Sequence, residues 1–395
     1  MTEQYKQIKP NIYSVGAVDW DRKLFDALIP LPDGTSYNSY LIFGSEKTAL
    51  IDTVDSAMSE VLLNNLQKLK VDRLDYIITN HAEQDHSGTL PAILKIYPQA
   101  KVICTPKCRD ILLNLLQLTE DVFITVTDRE TISLGDKTLE FIHAPWVHWP
   151  ETMLTYLGQD NILFSCDLFG SHLAAAELWA NCTPELYSAA KRYYAEIMMP
   201  FRKNILKYLH ILGDKKIGII AASHGPVYNK PEFILNAYRE WTADEPQDEV
   251  VIAYVSMHGS TEKIAHYLAQ CLGKAGITVK MFELSNGDIG ELAMALVDAA
   301  TIIVATPAVL AGAHPVAANA AFLINALRPK AKQLGIIGSF SWGCRVPEQL
   351  GGLLSGLKAD MLDPVMIKGL PTAADYEALQ NLAQTITEQH QDLKH

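Results

Sequence analysis

From residue 250 onward, four short runs rich in β-branched residues recur at intervals. They are "VVIAYV" (250–255), "TVKMFEL" (278–284), "TIIVATP" (301–307) and "QLGIIGSF" (333–340), each followed by a segment of helical spacing. This alternation restricts the chain more than any other feature. Continuously apolar strands separated by helices are buried on both faces, which requires a doubly wound parallel sheet. The stretch before residue 241 has a different texture, β-rich with irregularly interleaved helices. The two are joined by "WTADEPQDE" (241–249), polar, acidic and proline-bearing. Two domains are expected, 1–246 and 247–395, mixing α/β with α+β organisation.

In the first half, "YNSYLIFG" (37–44) and "KTALIDT" (47–53) read as adjacent strands around a turn at Ser45–Glu46, and "LDYIITN" (74–80) as a buried strand. Helical spacing covers 59–70, and a single helix is expected through 184–210. Further strands are expected at 101–105, 122–126, 138–143, 152–157, 161–165 and 217–221. Of the 395 residues 49% are apolar, enough for sizeable cores, and the net charge of −12 opposes a nucleic-acid partner. No apolar run approaches the ~18 residues of a membrane span and no signal peptide is evident, so a cytoplasmic protein without a membrane partner is expected. The six cysteines (104, 108, 166, 182, 271, 344) form no CxxC pair, and most read as buried small residues.

The strand at 74–80 runs into "NHAEQDHSG" (80–88), where His81, Glu83, Asp85 and His86 crowd six positions. With period-two alternation His81 and Glu83 share a side, and the following loop can turn Asp85 and His86 inward. Four ligand-type residues so close together point to metal. Ser87 is a candidate cap for the next segment, in which Pro91 fits near a helix start. His148 in "HAPWVHWPET", Asp167 in "LFSCDLFGSH" and His224 in "AASHGPV" each follow an apolar run, so a rigid edge could present them as further ligands. His143 and His172 read as structural residues or as neighbours just outside the ligand set.

In the second half, "YVSMHGSTEKIAHYLAQCL" (254–272) is a strand, a turn and a helix. Ser256, Met257, His258, Gly259, Ser260 and Thr261, with backbone N–H groups at the helix start, could hold a phosphate without a lysine. Neither a Walker lysine nor GxGxxG is present, which argues against a nucleoside triphosphate or a dinucleotide. Two more strand ends offer Thr306, Pro307 and Ala308 in "ATPAVLAGAHP", and Ser339, Phe340, Ser341, Trp342 and Gly343 in "GSFSWGC". Phe340 or Trp342 is a candidate to lie against a flavin ring.

HxExDH followed by a distant His, then Asp, then His resembles the metallo-β-lactamase-like core of the flavodiiron proteins (A-type flavoproteins). "TSYNSYL" (35–41), "HWPETM" (148–153) and "CDLFGSH" (166–172) carry the likeness further, and the three C-terminal loops resemble flavodoxin. The resemblance implies an N-terminal αββα sandwich followed by a flavodoxin-like parallel sheet, with FMN and two iron ions per chain. It implies His81, Glu83 and His148 on one iron, Asp85, His86 and His224 on the other, and Asp167 bridging them. Hydrolases of the same fold carry HxHxDH and zinc; Glu83 in place of the second His gives a harder, more anionic site suited to iron. Where relatives carry a hydroxyl two places after Thr306, this chain has Ala308.

The implied activity is reduction of O2 to water, of NO to N2O, or of both, by an oxidoreductase in which FMN feeds the irons. FMN and two irons together store the four electrons that O2 needs. Tyr194, or its neighbour Tyr193, is expected to hydrogen-bond the cluster from just outside it. An external donor is implied, a rubredoxin or a reduced deazaflavin, because no rubredoxin-type cysteine pairs are present. So is a head-to-tail homodimer or a dimer of dimers. Two other readings stand beside this one: a zinc hydrolase with an appended flavodoxin module, and a non-catalytic electron carrier or redox sensor.

Overall fold

The structure, a computed structural model, describes residues 5–392. Its contacts divide the chain into two compact units. One holds the residues up to Tyr194 and Phe201–Thr242, the other Ala195–Pro200 and the chain from Ala243 on.

The first unit is built on two sheets. The larger runs, in spatial order, Lys6–Lys9, Ile12–Ser14, Tyr40–Phe43, Thr48–Ile51, Tyr76–Ile78, Lys101–Cys104 and Phe123–Thr125. Its strands are antiparallel as far as Thr48–Ile51 and parallel beyond. The smaller runs Thr131–Ser133, Thr138–His143, Met153–Leu157, Ile162–Cys166 and Ile219–Ala222, with only the last pair parallel.

Side-chain alternation explains why these sheets stack. Ile42, Ile51, Ile78 and Ile103 share a core with Phe141, Leu157 and Phe164 of the smaller sheet. Their sequence neighbours Leu41, Leu50, Ile77 and Val102 point the other way, onto Leu62, Leu66, Ile93 and Leu112 of helices Ser59–Lys68, Leu90–Ile96 and Pro106–Leu116. Each such side chain is worth about 1.5–3 kcal/mol when buried, so a one-residue register slip would forfeit many at once. In the smaller sheet, Met153–Leu157 and Ile162–Cys166 are buried at every position, so its outer face is covered too. The result is the αββα sandwich.

The single helix expected through 184–210 is broken. Pro184–Tyr193 is α-helical, Tyr194–Met198 forms a π turn, Met199–Phe201 is 3-10, and Arg202–Gly213 resumes the α-helix. Pro200 accounts for the interruption: it has no N–H to donate, and its ring collides with the preceding turn.

The second unit is a parallel sheet in the order Thr278–Glu283, Gln247–Tyr254, Ala299–Val309, Gln333–Phe340, with Asp360–Met361 and Val365–Lys368 both pairing with the last of these. Ile264, Leu268 and Leu272 of helix Ser260–Lys274, and Leu379, Leu382 and Ile386 of helix Ala373–Asp392, cover one face around Val250, Ile252, Ile303 and Ile337. Strand Ala299–Val309 runs past its expected end at Pro307. It turns back as a hairpin to Gly312–Ala313 through Leu310 and Ala311, both at positive φ.

Candidate metal and flavin sites

The ligand-type residues of the first unit all lie in connections that follow strands. Parallel strands Thr48–Ile51 and Tyr76–Ile78 end side by side, and Asp52, buried just past the first, accepts the Asn80 backbone N–H at 2.7 Å and its side-chain amide at 2.9 Å. Asn80 Oδ1 in turn accepts the Thr155 hydroxyl at 2.7 Å, so both sheets fix the start of the cluster. Asp52 has lost its solvation, which pushes its carboxyl up to about 6 despite the His86 charge and the Asn80 bonds.

His81 then points inward. Asp85 and His86 sit not in a loop, as expected, but on a one-turn helix, Gln84–Ser87. Ser87 caps nothing; its hydroxyl donates to Ala82 O at 2.8 Å, and the next helix starts after Thr89. Cys166 ends its strand at φ 53, turning Asp167 toward the cluster, and Gly225 at φ 79 closes the turn behind His224.

All seven expected ligand residues converge. Two groups form, His81, Glu83, His148 with Asp167, and Asp85, His86 with His224; within each, the ligand atoms lie within 4.8 Å of one another. Asp167 addresses both. Its Oδ1 is 3.1 Å from His86 Nε2 and 3.3 Å from His224 Nε2, while its Oδ2 is 3.4 Å from His148 Nε2 and 3.6 Å from His81 Nε2. Glu83 Oε2 lies 3.0 Å from His81 Nε2 and 3.3 Å from His148 Nε2; Asp85 Oδ2 lies 3.2 Å from His224 Nε2. Ligand atoms about 2.1 Å from a shared first-row ion stand about 3.0–3.4 Å apart, so these separations, all but that of Asp167 Oδ2 from His81 Nε2, fit metal.

The tautomers fit as well. His224 Nδ1 is 2.7 Å from the Ser36 carbonyl and His81 Nδ1 is 2.7 Å from Glu151 Oε1; both oxygens only accept, so each Nδ1 carries its proton and each Nε2 faces the cluster. Both carboxylate oxygens of Asp85 and Nε2 of His86 are buried without a hydrogen-bond partner.

Burial by itself would discharge the four rings, yet the facing carboxylates overcome it. His81 and His224 are raised to about 10 and His86 and His148 to about 9, while Asp167 and Glu83 are driven well below the carboxylate range by the same rings. The carboxylates therefore make this pocket favour positive charge, as a pair of metal ions would supply it.

The outside hydroxyl belongs to Tyr193, not Tyr194. Tyr193 donates to Asp167 Oδ1 at 3.0 Å, whereas Tyr194 donates to Trp241 O at 3.2 Å and packs on Tyr238 and Trp241. His172 lies beside His224, ring centroids 5.0 Å apart; burial holds it uncharged, with Nδ1 2.9 Å from Thr35 Oγ1. Neither His172 nor His143 joins the ligand groups. Glu151 went unassigned in the sequence. It accepts both His81 Nδ1–H and, at 3.1 Å, Ala82 N–H. Its position in "HWPET", two places before a strand, was the available signal.

In the second unit a pocket opens at the carboxyl ends of the parallel strands. Ser256, Met257, His258, Ser260 and Thr261 line it from the first loop, Pro307 and Ala308 from the second, and Ser339, Phe340 and Ser341 from the third; Gly369 had not been foreseen. Gly259 takes φ 83 with open space where a Cβ would sit, and no side chain caps the helix that begins at Ser260. Ser256 Oγ accepts Gly259 N–H at 3.1 Å, and the Thr261 and Ser339 hydroxyls meet at 2.9 Å. A phosphate fits such a loop, where hydroxyl groups stand beside the uncapped N–H groups of a helix start.

Thr306 does not reach the pocket. It is fully buried, its hydroxyl donating to Pro307 O and accepting His314 N–H. Trp342, 76% exposed, and Gly343 do not line the pocket; Phe340 does.

A β-lactamase-type metal domain followed by a flavodoxin-type domain defines a two-domain flavin and metal oxidoreductase. Residues 35–225 match the family model described as ODP family beta lactamase, and residues 252–381 match that of flavodoxin. The chain is 34% identical over 388 residues to a nitric oxide reductase of Moorella thermoacetica, covering 96% of this chain and 97% of that one. It superposes on the rubredoxin oxygen:oxidoreductase of Desulfovibrio gigas with a TM-score of 0.94 at 32% identity, over 99% of both chains. On the flavodiiron protein of Giardia intestinalis the TM-score is 0.92 at 28% identity, over 100% of this chain and 98% of that one. The chain belongs to the flavodiiron proteins. That class is defined by a flavin and a pair of irons, and this chain presents a place for each. Among the described residues, no helix is long and apolar enough to cross a membrane.

Proposed function

We propose that this chain reduces O2 to water, NO to N2O, or both, at a diiron centre supplied with electrons by FMN. The observation that carries the reading is Asp167, one oxygen turned to each trio of ligand atoms. His81, Glu83 and His148 would hold one iron, and Asp85, His86 and His224 the other. Two ferrous ions there, replenished with electrons through FMN, would supply the reducing power for O2 or NO.

The chain's own residues do the rest. Three carboxylates offset the charge of two cations held close together. Glu151 and Ser36 O fix the His81 and His224 rings so that each presents Nε2. Tyr193 holds one Asp167 oxygen by a hydrogen bond while leaving its second lone pair free. In the second unit, the loop around Gly259 and the hydroxyls of Ser260 and Thr261 would hold the FMN phosphate, with Phe340 beside the ring.

Electrons come from an external donor, a rubredoxin or a reduced deazaflavin, and a head-to-tail homodimer would bring the FMN of one chain to the irons of the other. The zinc-hydrolase reading is disfavoured by Glu83, whose carboxylate faces His81 and His148 where an imidazole would be needed.

The test is consumption of O2 and of NO by the iron- and FMN-loaded protein with each donor, beside Asp167→Ala. Gas consumption by the wild type, lost in the variant together with metal while FMN stays bound, is expected. A variant that keeps wild-type activity and iron would remove Asp167 from the bridge.

A further inference from the structure

His172 stands beside the cluster without joining either ligand group. Successive residues of strand Thr35–Tyr37 each hold a histidine ring by its Nδ1: the Ser36 carbonyl holds His224 at 2.7 Å, and the Thr35 hydroxyl holds His172 at 2.9 Å. The two rings lie 5.0 Å apart, tilted by 59°. His224, anchored in this way, turns Nε2 to the cluster; His172, anchored from the same strand, turns Nε2 to the same side. Phe25 and Tyr193 wall the His172 ring at 5.0 Å and 4.8 Å between centroids, and the Tyr193 hydroxyl rests on Asp167 Oδ1. Burial governs the charge of this ring, and the groups acting on it next are His224, Asp167, His86 and Glu83, all members of the cluster.

Nε2 of His172 is buried and has no hydrogen-bond partner among the described residues. It carries a proton. The Ser36 carbonyl already receives His224 Nδ1–H, and its contact with the Thr35 hydroxyl is long at 3.4 Å. The Thr35 proton therefore goes to His172 Nδ1, which leaves the ring's own proton on Nε2. A charged ring would hold a proton there as well, so the donor does not depend on titration. A buried donor without an acceptor is costly, and at a reaction site it calls for a ligand to receive it.

We propose that His172 donates its Nε2–H to the small molecule reduced at the cluster, on the side of His224, Asp85 and His86. This rests on reading the cluster as a diiron site. A diatomic under reduction gathers electron density on its outer atom, and a fixed donor in a water-excluded pocket stabilises that density without reorganising. The ligand class selected is a small molecule with an exposed acceptor atom, which includes a triatomic anion such as azide.

The experiment uses the full-length protein loaded with iron and FMN, its irons oxidised, with azide as the probe. Azide binding is titrated by the absorption band it produces with ferric iron, in wild type, His172→Leu and His172→Gln. Iron content and the spectrum before azide are recorded for each. Leu keeps roughly the volume of the ring and removes the donor, whereas Gln returns an N–H group at a similar reach. Azide affinity is expected to fall about ten-fold in His172→Leu, as for loss of one hydrogen bond to a charged group, and to stay within about three-fold of wild type in His172→Gln. Iron content and the azide-free spectrum should match wild type in both. Equal affinity in wild type and His172→Leu would overturn the proposal and leave the diiron reading standing. Loss of iron or a changed azide-free spectrum in both variants would also overturn it, by showing that His172 supports His224 instead of meeting the ligand. Wild-type protein that binds no iron would overturn the reading of the cluster, and the proposal with it.

Discussion

Glu151 shows how a single side chain outside a ligand set can govern it. Its carboxylate is buried and receives His81 Nδ1–H and Ala82 N–H on the same oxygen, so it fixes both the ring and the backbone that carries it. Replacing Glu151 with Gln keeps the size and removes the charge, and affinity for metal is expected to fall about 10- to 100-fold with FMN content unchanged. Chelator competition with the purified variant measures this; unchanged retention would mean that the neutral amide orients His81 equally well.

Asp75, away from the site, gives a pH dependence. Burial works to raise its carboxyl, but the Thr48 N–H at 3.0 Å, Arg73 and Lys47 outweigh burial and lower it. A depressed carboxylate stabilises the fold above its unfolded-state pKa and loses that contribution as pH falls through the folded value. Asp75→Asn should therefore cost about 1 kcal/mol at neutral pH, with the gap to wild type closing as pH falls through and below the usual carboxylate range, as read from denaturation midpoints. A gap that persists unchanged in acid would show that the hydrogen bonds matter and the charge does not.

At the scale of elements, the strands were legible because their patterns are dictated locally. Thr138–His143 falls on its expected bounds, and the four C-terminal runs all became parallel strands. Ligands placed after apolar runs were legible for the same reason: a strand ending at a sheet edge must deliver the next side chain near its neighbours' ends.

What could not be read depended on contacts distant in sequence or on helix pitch. Asp52 and Asn80 are joined only through the pairing of their strands. Adjacent helical residues point about 100° apart, and the π turn beginning at Tyr194 changes the phase there, so the sequence alone left Tyr193 and Tyr194 undivided. The expected helix through 184–210 failed at the same place.

The His224 turn offers a test at this scale. A Cβ on Gly225 would stand 2.1 Å from Ser171 Oγ, at φ 79, and the Gly225 N–H is already held by Ser36 Oγ at 2.8 Å. Gly225→Ala should shift the turn, cost more than about 1 kcal/mol in stability and lower metal content. Thermal unfolding with metal analysis decides; a variant with wild-type values in both would show that the turn adapts without moving His224.

For the whole molecule, the proposed head-to-tail dimer sets how the two sites cooperate. A metal-dead chain (His81→Ala with Asp85→Ala) and a flavin-dead chain (Ser260 and Thr261 replaced by bulky residues) should each be inactive alone. Co-expressed and purified as a mixed dimer, they should regain one working pair of sites, because the flavin of one chain would serve the irons of the other. A mixed dimer that holds both cofactors without consuming gas would rule out electron transfer between chains.

The most direct measurement is the metal and flavin content of active protein purified from iron-sufficient cells, determined by elemental analysis and flavin release. The seven-residue cluster and the pocket beside Gly259 call for two irons and one FMN per chain. Stoichiometric zinc in the active protein, or activity without bound flavin, would contradict it.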